Sequence, residues 1–301
     1  MNHYRLYGLH IITDFNFLQL VKESPDISNP DNTIMIFEGH FPEEYKSSEL
    51  SYQFIDENNA FFINSYCYMF FENGNKITYE KRDGIHDDLL NSYFLGFGIS
   101  ILGFQRGLLS LHCACLADED GAIIISGSSG SGKSTITTAL LDKGLRLVAD
   151  DMVLVDVLSE DKAYAYPAFP YTKLCRDAAI NHGYNLDELI YIDEDKDKFL
   201  VPYRGTFSTE KVPVKAIIML TLTNKDELFK EEIPGLRKMY ACMDTLFIPD
   251  IIKQNKYGAQ IGNMCVKLAS KVPIYHVSRP IFKDTTNEML NTVLDFINLQ
   301  N

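Results

Sequence analysis

Three observations predict an α/β fold, a mixed sheet flanked by helices, for this 301-residue chain. Apolar strand and helix patterns alternate in tight order from residue 107 onward, and a glycine-rich loop joins one such strand to one such helix. The first 82 residues instead carry runs of β-branched and aromatic residues. The chain therefore divides into a β-rich N-terminal domain (1–84), a connecting helix (85–106) and an α/β domain (107–301).

In the N-terminal part, residues 6–12, 33–37, 50–55 and 61–71 are the strand candidates. Asn73-Gly74 signals a hairpin, because both positions tolerate positive φ. A loop carrying Pro25, Asn29, Pro30, Asp31 and Asn32 punctuates the segment. Residues 85–106 read as a largely buried helix with His86, Asp87 and Asp88 near its start. Its apolar run is broken by Asn91, Ser92 and glycines, and falls short of the roughly 20 residues a membrane span needs.

From residue 108 the elements follow closely. They are an apolar strand (108–117), a turn (118–121), a strand (122–126), the glycine loop, a helix (133–143), Gly144 and a strand (145–149) ending in two aspartates. Further strands are expected at 214–222 and 273–277, and a last helix at 285–299.

A hydrophobic content of 46% and a charged content of 23% suit a globular chain with a sizeable core. The formal charge of −13 argues against nucleic acid and against an anionic membrane surface, both of which are bound by clustered Lys and Arg. The six cysteines form no Cys-x-x-Cys pair and have no His at zinc spacing. Reduced thiols and a cytoplasmic location are expected, with no secretory signal at the N-terminus.

The loop reads Gly-Ser-Ser-Gly-Ser-Gly-Lys-Ser and satisfies the phosphate-loop pattern through Gly127, Gly132, Lys133 and Ser134. At average residue usage such a match arises by chance in roughly one chain of this length per hundred. Its setting between an apolar strand and a helix makes chance less probable still. Glycines at 127, 130 and 132 let the backbone curl so that successive N–H groups face phosphate oxygens. The binding segment is thus Gly127, Ser128, Ser129, Gly130, Ser131, Gly132, Lys133, Ser134 and Thr135. Lys133 would reach the β- and γ-phosphates of ATP, and the Ser134 hydroxyl would join the Mg²⁺ shell.

Asp150 and Asp151 end a strand one helix beyond that loop, where a hard cation needs oxygen ligands. On an extended segment adjacent side chains face opposite ways, so one carboxylate could meet Mg²⁺ and the other an incoming hydroxyl. Capping of the strand end is the plain alternative. His112, between Leu111 and Cys113, reads by spacing as a core histidine.

Three stretches together, Leu-His-Cys-Ala-Cys-Leu-Ala, Ile-Ile-Ser-Gly-Ser-Ser-Gly-Ser-Gly-Lys-Ser-Thr and Gly-Leu-Arg-Leu-Val-Ala-Asp-Asp, resemble the catalytic domain of HPr kinase/phosphorylase over residues 108–152. The opening Tyr4-Arg5-Leu6-Tyr7-Gly8-Leu9 and the segments around Pro167 and Lys198 look more like a side branch, the HPr-kinase-like serine kinases of lasso and other ribosomal peptide pathways. The resemblance implies a serine kinase using ATP and Mg²⁺ on a peptide or small-protein acceptor, and a homo-oligomer. It makes Asp150 the carboxylate that takes the serine proton, Asp151 the Mg²⁺ ligand and His112 an active-site partner. Lys198 and Arg204 become candidate positive groups, although Lys198 also closes a mixed charge run, 193–198. No stretch matches the family's glycine-rich loop that engages phosphate and the carrier protein.

Two rival readings stay open at this point. One is a small-molecule kinase with its pocket in segment 160–210. The other is a nucleotide-binding regulator with little turnover.

Overall fold

The computed structural model describes residues 1–25, 30–181, 183–192 and 197–298. Asn29 and the acidic run 193–196 lie outside them. The protein is a mixed α/β structure divided into two compact units. One holds Met1–Leu108, Lys173–Val201 and Asp250–Ala259; the other holds Leu109–Thr172, Pro202–Pro249 and Gln260–Asn301.

The first unit opens with eight strands: β1 (Asn2–Leu6), β2 (Leu9–Thr13), β3 (Val21–Lys22), β4 (Thr33–Glu38), β5 (Tyr52–Phe54), β6 (Asn59–Ile63), β7 (Cys67–Glu72) and β8 (Lys76–Lys81). They form one sheet in the order β3-β1-β2-β4-β8-β7-β6-β5, with β4 parallel to both its neighbours. The strand expected at 6–12 is two strands, because Tyr7 and Gly8 turn the chain at φ 52° and 73°. The run 61–71 also divides: Asn64 Oδ1 accepts the N–H groups of Tyr66 and Cys67 and folds the chain into a turn. Asn73 and Gly74 take φ 52° and 66° between β7 and β8, as their residue types predict. The helical stretch after the sheet comprises α1 (Asp87–Tyr93), a π-helical turn at Phe94–Gly98 and α2 (Ile99–Gln105). Among the described residues, no helix is long and apolar enough to cross a membrane.

The rest of the chain runs β9 (Leu109–His112), β10 (Ala114–Ala117), β11 (Ala122–Gly127), α3 (Lys133–Asp142), β12 (Arg146–Ala149), β13 (Met152–Asp156) and β14 (Tyr164–Tyr166). Next come β15 (Tyr171–Cys175), α4 (Arg176–Asn181), β16 (Ile190–Ile192) and β17 (Lys198–Pro202), the three strands forming a small sheet with β17 in the middle. The chain ends with β18 (Val212–Thr223), β19 (Phe229–Glu232), α5 (Arg237–Asp244), α6 (Asn255–Lys271), β20 (Ile274–Pro280) and α7 (Thr286–Asn298).

The main sheet of the second unit is ordered β12-β10-β11-β18-β14-β13-β9, with β20 beside β18 and β19 beyond it. Strand β18 lies parallel to β11 and to β20, and antiparallel to β14. The run Ala-Ile-Ile-Ile in β11 is buried throughout, as a strand covered on both faces requires. Helices α3 and α7 lay Ile136, Leu140, Met289 and Val293 against Ile123, Ile125, Ile218 and Val277. Each such aliphatic side chain contributes about 1.5–3 kcal/mol by leaving water. The strand expected over 108–117 is two strands broken at Cys113, whose N–H donates to Asp151 O at 3.1 Å. Strand β9 then pairs with β13, while β10 pairs with β11 and β12.

Candidate functional site

The loop 128–132 leaves β11 and enters α3 at Lys133, so it lies between a central strand and a helix N-terminus. Gly127 admits no side chain: a Cβ there would stand 2.5 Å from Ser131 Oγ and 2.6 Å from Leu220 O. Gly130 and Gly132 take φ 80° and 101°, in the left-handed region where other L-residues are strained.

Four carbonyls of the loop, those of Ser128, Gly130, Ser131 and Gly132, are engaged by protein groups. Ser131 N–H donates to Ser128 O at 3.1 Å, and Ile136 N–H donates to Gly132 O at 2.9 Å. Arg279, near the end of β20, donates from Nε to Ser131 O at 3.0 Å and from Nη2 to Gly130 O at 2.6 Å. The N–H groups of Ser129, Gly130 and Gly132 donate to no protein acceptor among the described residues. With the first-turn N–H groups of α3 they supply the donors of an anion-binding concavity. Ser128, Ser129, Gly130, Ser134 and Thr135 are exposed around it. Ser131 is fully buried, so it contributes backbone rather than hydroxyl.

Three predicted residues converge beside this loop. His112 ends β9 and Lys133 begins α3, while Asp151 occupies the bend between β12 and β13. Lys133 Nζ lies 3.3 Å from His112 Nε2, and Asp151 Oδ1 lies 3.8 Å from His112 Nδ1. The His112 side chain is 46% exposed, which sets aside the core reading that its apolar neighbours suggest. An ammonium can only donate, so the Lys133 contact needs a lone pair on Nε2 and places the imidazole proton on Nδ1, facing Asp151. The backbone fixes this histidine: its N–H donates to Thr245 O at 2.7 Å, and its O accepts from Ser126 Oγ at 3.3 Å. Phe247 lies against the ring at a centroid distance of 5.8 Å.

Asp150 and Asp151 are not on an extended segment. Asp151 takes φ 74°, so strict alternation of the two side chains does not apply, and the pair sits on a bend. Both are half-buried. Neighbouring Cys113 is enclosed completely, and burial pushes its thiol well above the ordinary range, so it stays protonated and unreactive.

Lys198 opens β17, paired opposite Ile192, and belongs to the first unit. Arg204 is exposed on the loop after β17. Sequence reading missed Arg279, whose only signal is an arginine next to the end of a largely buried strand, Ile-Tyr-His-Val-Ser-Arg-Pro. It also missed Met289, which packs against Gly132.

A triphosphate with a divalent cation fits this set of groups, since the N–H donors of Ser129, Gly130 and Gly132 have no protein acceptor among the described residues while four of the loop's carbonyls are turned to protein donors. Among the described residues no three His, Cys, Asp or Glu side chains converge as a metal cage. Magnesium accommodates that, because it commonly takes only one or two protein carboxylates beside substrate phosphates.

No family model matches the chain, and no curated protein matches it. Among solved structures, the Hpr(Ser) kinase/phosphatase from Coxiella burnetii is similar over 64% of this chain and 97% of its own, at 14% identity and a TM-score of 0.33. At that score the likeness carries no argument about activity.

Proposed function

We propose that this protein binds ATP with Mg²⁺ at residues 127–135 and transfers a phosphoryl group to a serine hydroxyl on a peptide or small protein. The observation that carries the proposal is the loop itself, with four of its carbonyls held by the protein, the N–H groups of Ser129, Gly130 and Gly132 without a protein acceptor among the described residues, and Lys133 beside them. The serine-kinase form follows from the motifs shared with HPr kinase/phosphorylase in residues 108–152.

Lys133 binds the phosphates, and Ser134 and Asp151 would hold Mg²⁺, which offsets charge on the phosphoryl oxygens when bound. Neutral His112 accepts from the Lys133 ammonium and keeps it beside the loop. Asp151 stabilises the Nδ1–H tautomer that makes this possible. Asp150, next along the bend, is the carboxylate that orients the acceptor hydroxyl and takes its proton. Lys198 is assigned to the transferring phosphoryl group on the resemblance alone.

The test is turnover of γ-labelled ATP with Mg²⁺, with and without serine-containing peptides, in wild type, Lys133→Ala and Asp150→Asn. Label on peptide, reduced at least ~100-fold by either change, is expected. Tight ATP binding with phosphate release and no peptide label would instead establish a nucleotide-binding regulator. Transfer to a small hydroxyl compound but to no peptide would establish a small-molecule kinase.

A further inference from the structure

We infer, on the proposed reading of the loop as a nucleotide site, that Arg279 is the positioning residue that sets which way the loop's peptide groups face. A trans peptide bond holds its C=O and the next N–H on opposite sides of one plane. With Ser131 O held by Arg279 Nε, the Gly132 N–H points away from the guanidinium. With Gly130 O held by Nη2, the Ser131 N–H points the other way and meets Ser128 O. That last bond in turn directs the Ser129 N–H outward. One side chain thus orients both peptide planes that follow Gly130 and Ser131.

The sheet delivers Arg279 to this place. Leu222 on β18 is opposite Arg279 on β20, and Leu220 on β18 is opposite Gly127 on β11. The end of β20 therefore stands two strands from the start of the loop, although 148 residues separate Arg279 from Ser131. The loop needs such a restraint. Its two left-handed glycines have the widest backbone freedom, and an unrestrained loop would have to be ordered at the moment of binding. A planar guanidinium presents its Nε and Nη2 donors in fixed directions toward the two carbonyls, whereas an ammonium on a flexible stem is a point charge that fixes neither direction.

The experiment compares wild type, Arg279→Lys, Arg279→Ala and the neighbouring Lys283→Ala. Binding of Mg·ATP and of inorganic triphosphate is measured by calorimetry, and amide exchange is followed over residues 128–133. The Lys variant keeps the charge and loses the fork, so both ligands are expected to bind at least ~10-fold more weakly. Exchange of the Ser131 amide, which is hydrogen-bonded to Ser128 O, should speed up, and KM for ATP should rise by more than kcat falls. Lys283→Ala should match wild type in all four readouts. Arg279→Lys binding within twofold of wild type would overturn the inference, including the case in which only the Ala variant is weak, since charge alone would then suffice. Wild type that binds neither ligand would refute the nucleotide reading of the loop and not the positioning role of Arg279, which unchanged Ser131 amide exchange in Arg279→Lys would refute separately. Thermal unfolding of each variant identifies loss of fold, and the Lys variant decides should the Ala variant unfold.

Discussion

Replacing Gly132 by alanine tests the loop geometry most directly. Gly132 has φ 101° and ψ 9°, and a Cβ there would lie 2.9 Å from Met289 Cε. The left-handed backbone costs an L-residue about 1–2 kcal/mol, and φ 101° lies well beyond the usual left-handed centre. The Met289 methyl ends a flexible side chain, so the clash is relieved by an off-rotamer shift costing roughly 0.5–1.5 kcal/mol. Together these give about 2–3 kcal/mol of destabilisation for Gly132→Ala. Gly144→Ala separates the two contributions: Gly144 has φ 97°, and nothing lies within 4 Å of its added Cβ. It should lose only the backbone part, about 1–2 kcal/mol, and bind Mg·ATP like wild type. Urea denaturation of both variants, with nucleotide titration, measures the difference. A Gly132→Ala protein as stable as wild type would refute the left-handed loop. One no less stable than Gly144→Ala would refute the Met289 contact.

Glu80 accepts from Lys46 Nζ at 2.6 Å and from Phe41 N–H at 2.8 Å, and these hydrogen bonds, Lys46 first, hold its carboxyl below the usual range. A lowered folded pKa contributes stability above the unfolded value and loses it as pH falls through the folded one. Glu80→Gln should therefore be less stable by about 1 kcal/mol at neutral pH, with the gap closing in acid; a pH-independent gap in denaturant midpoints would contradict this. Of the six cysteines, only Cys175 is exposed, and burial raises the thiols of Cys67, Cys113, Cys115, Cys242 and Cys265. A thiol reagent at pH 8 should titrate one fast group in the native chain, lost in Cys175→Ser; two or more would show an opening not present in this structure. His112→Gln keeps an acceptor opposite Lys133, whereas His112→Ala removes it, so turnover should fall about 10-fold further in the Ala variant; equal losses would take His112 out of the Lys133 contact.

The loop and its flanking elements were legible because their causes are local. A strand of isoleucines, three glycines and a lysine that begins a helix specify one another within about fifteen residues, and β11 and α3 lie where the pattern places them. The hairpin at Asn73-Gly74 is legible for the same reason, since positive φ is a property of those residue types. Local pattern cannot show how one apolar run is shared between partners. The run 108–117 became two strands because Cys113 meets Asp151 at the point where pairing passes from β13 to β11 and β12. The same pairing turned His112 from an apparent core residue into the group between Lys133 and Asp151.

The sequence by itself determined the chemistry available: a phosphate-type loop, a lysine, two carboxylates and a histidine, each named by residue type and spacing. Tertiary structure alone decided how those groups face. It placed Asp151 in a left-handed bend toward His112, and it brought Arg279 across the sheet to hold the loop's carbonyls. The physical reason is that hydrogen-bond direction depends on which strands lie side by side, and that is settled by burial of the whole sheet rather than by any short segment.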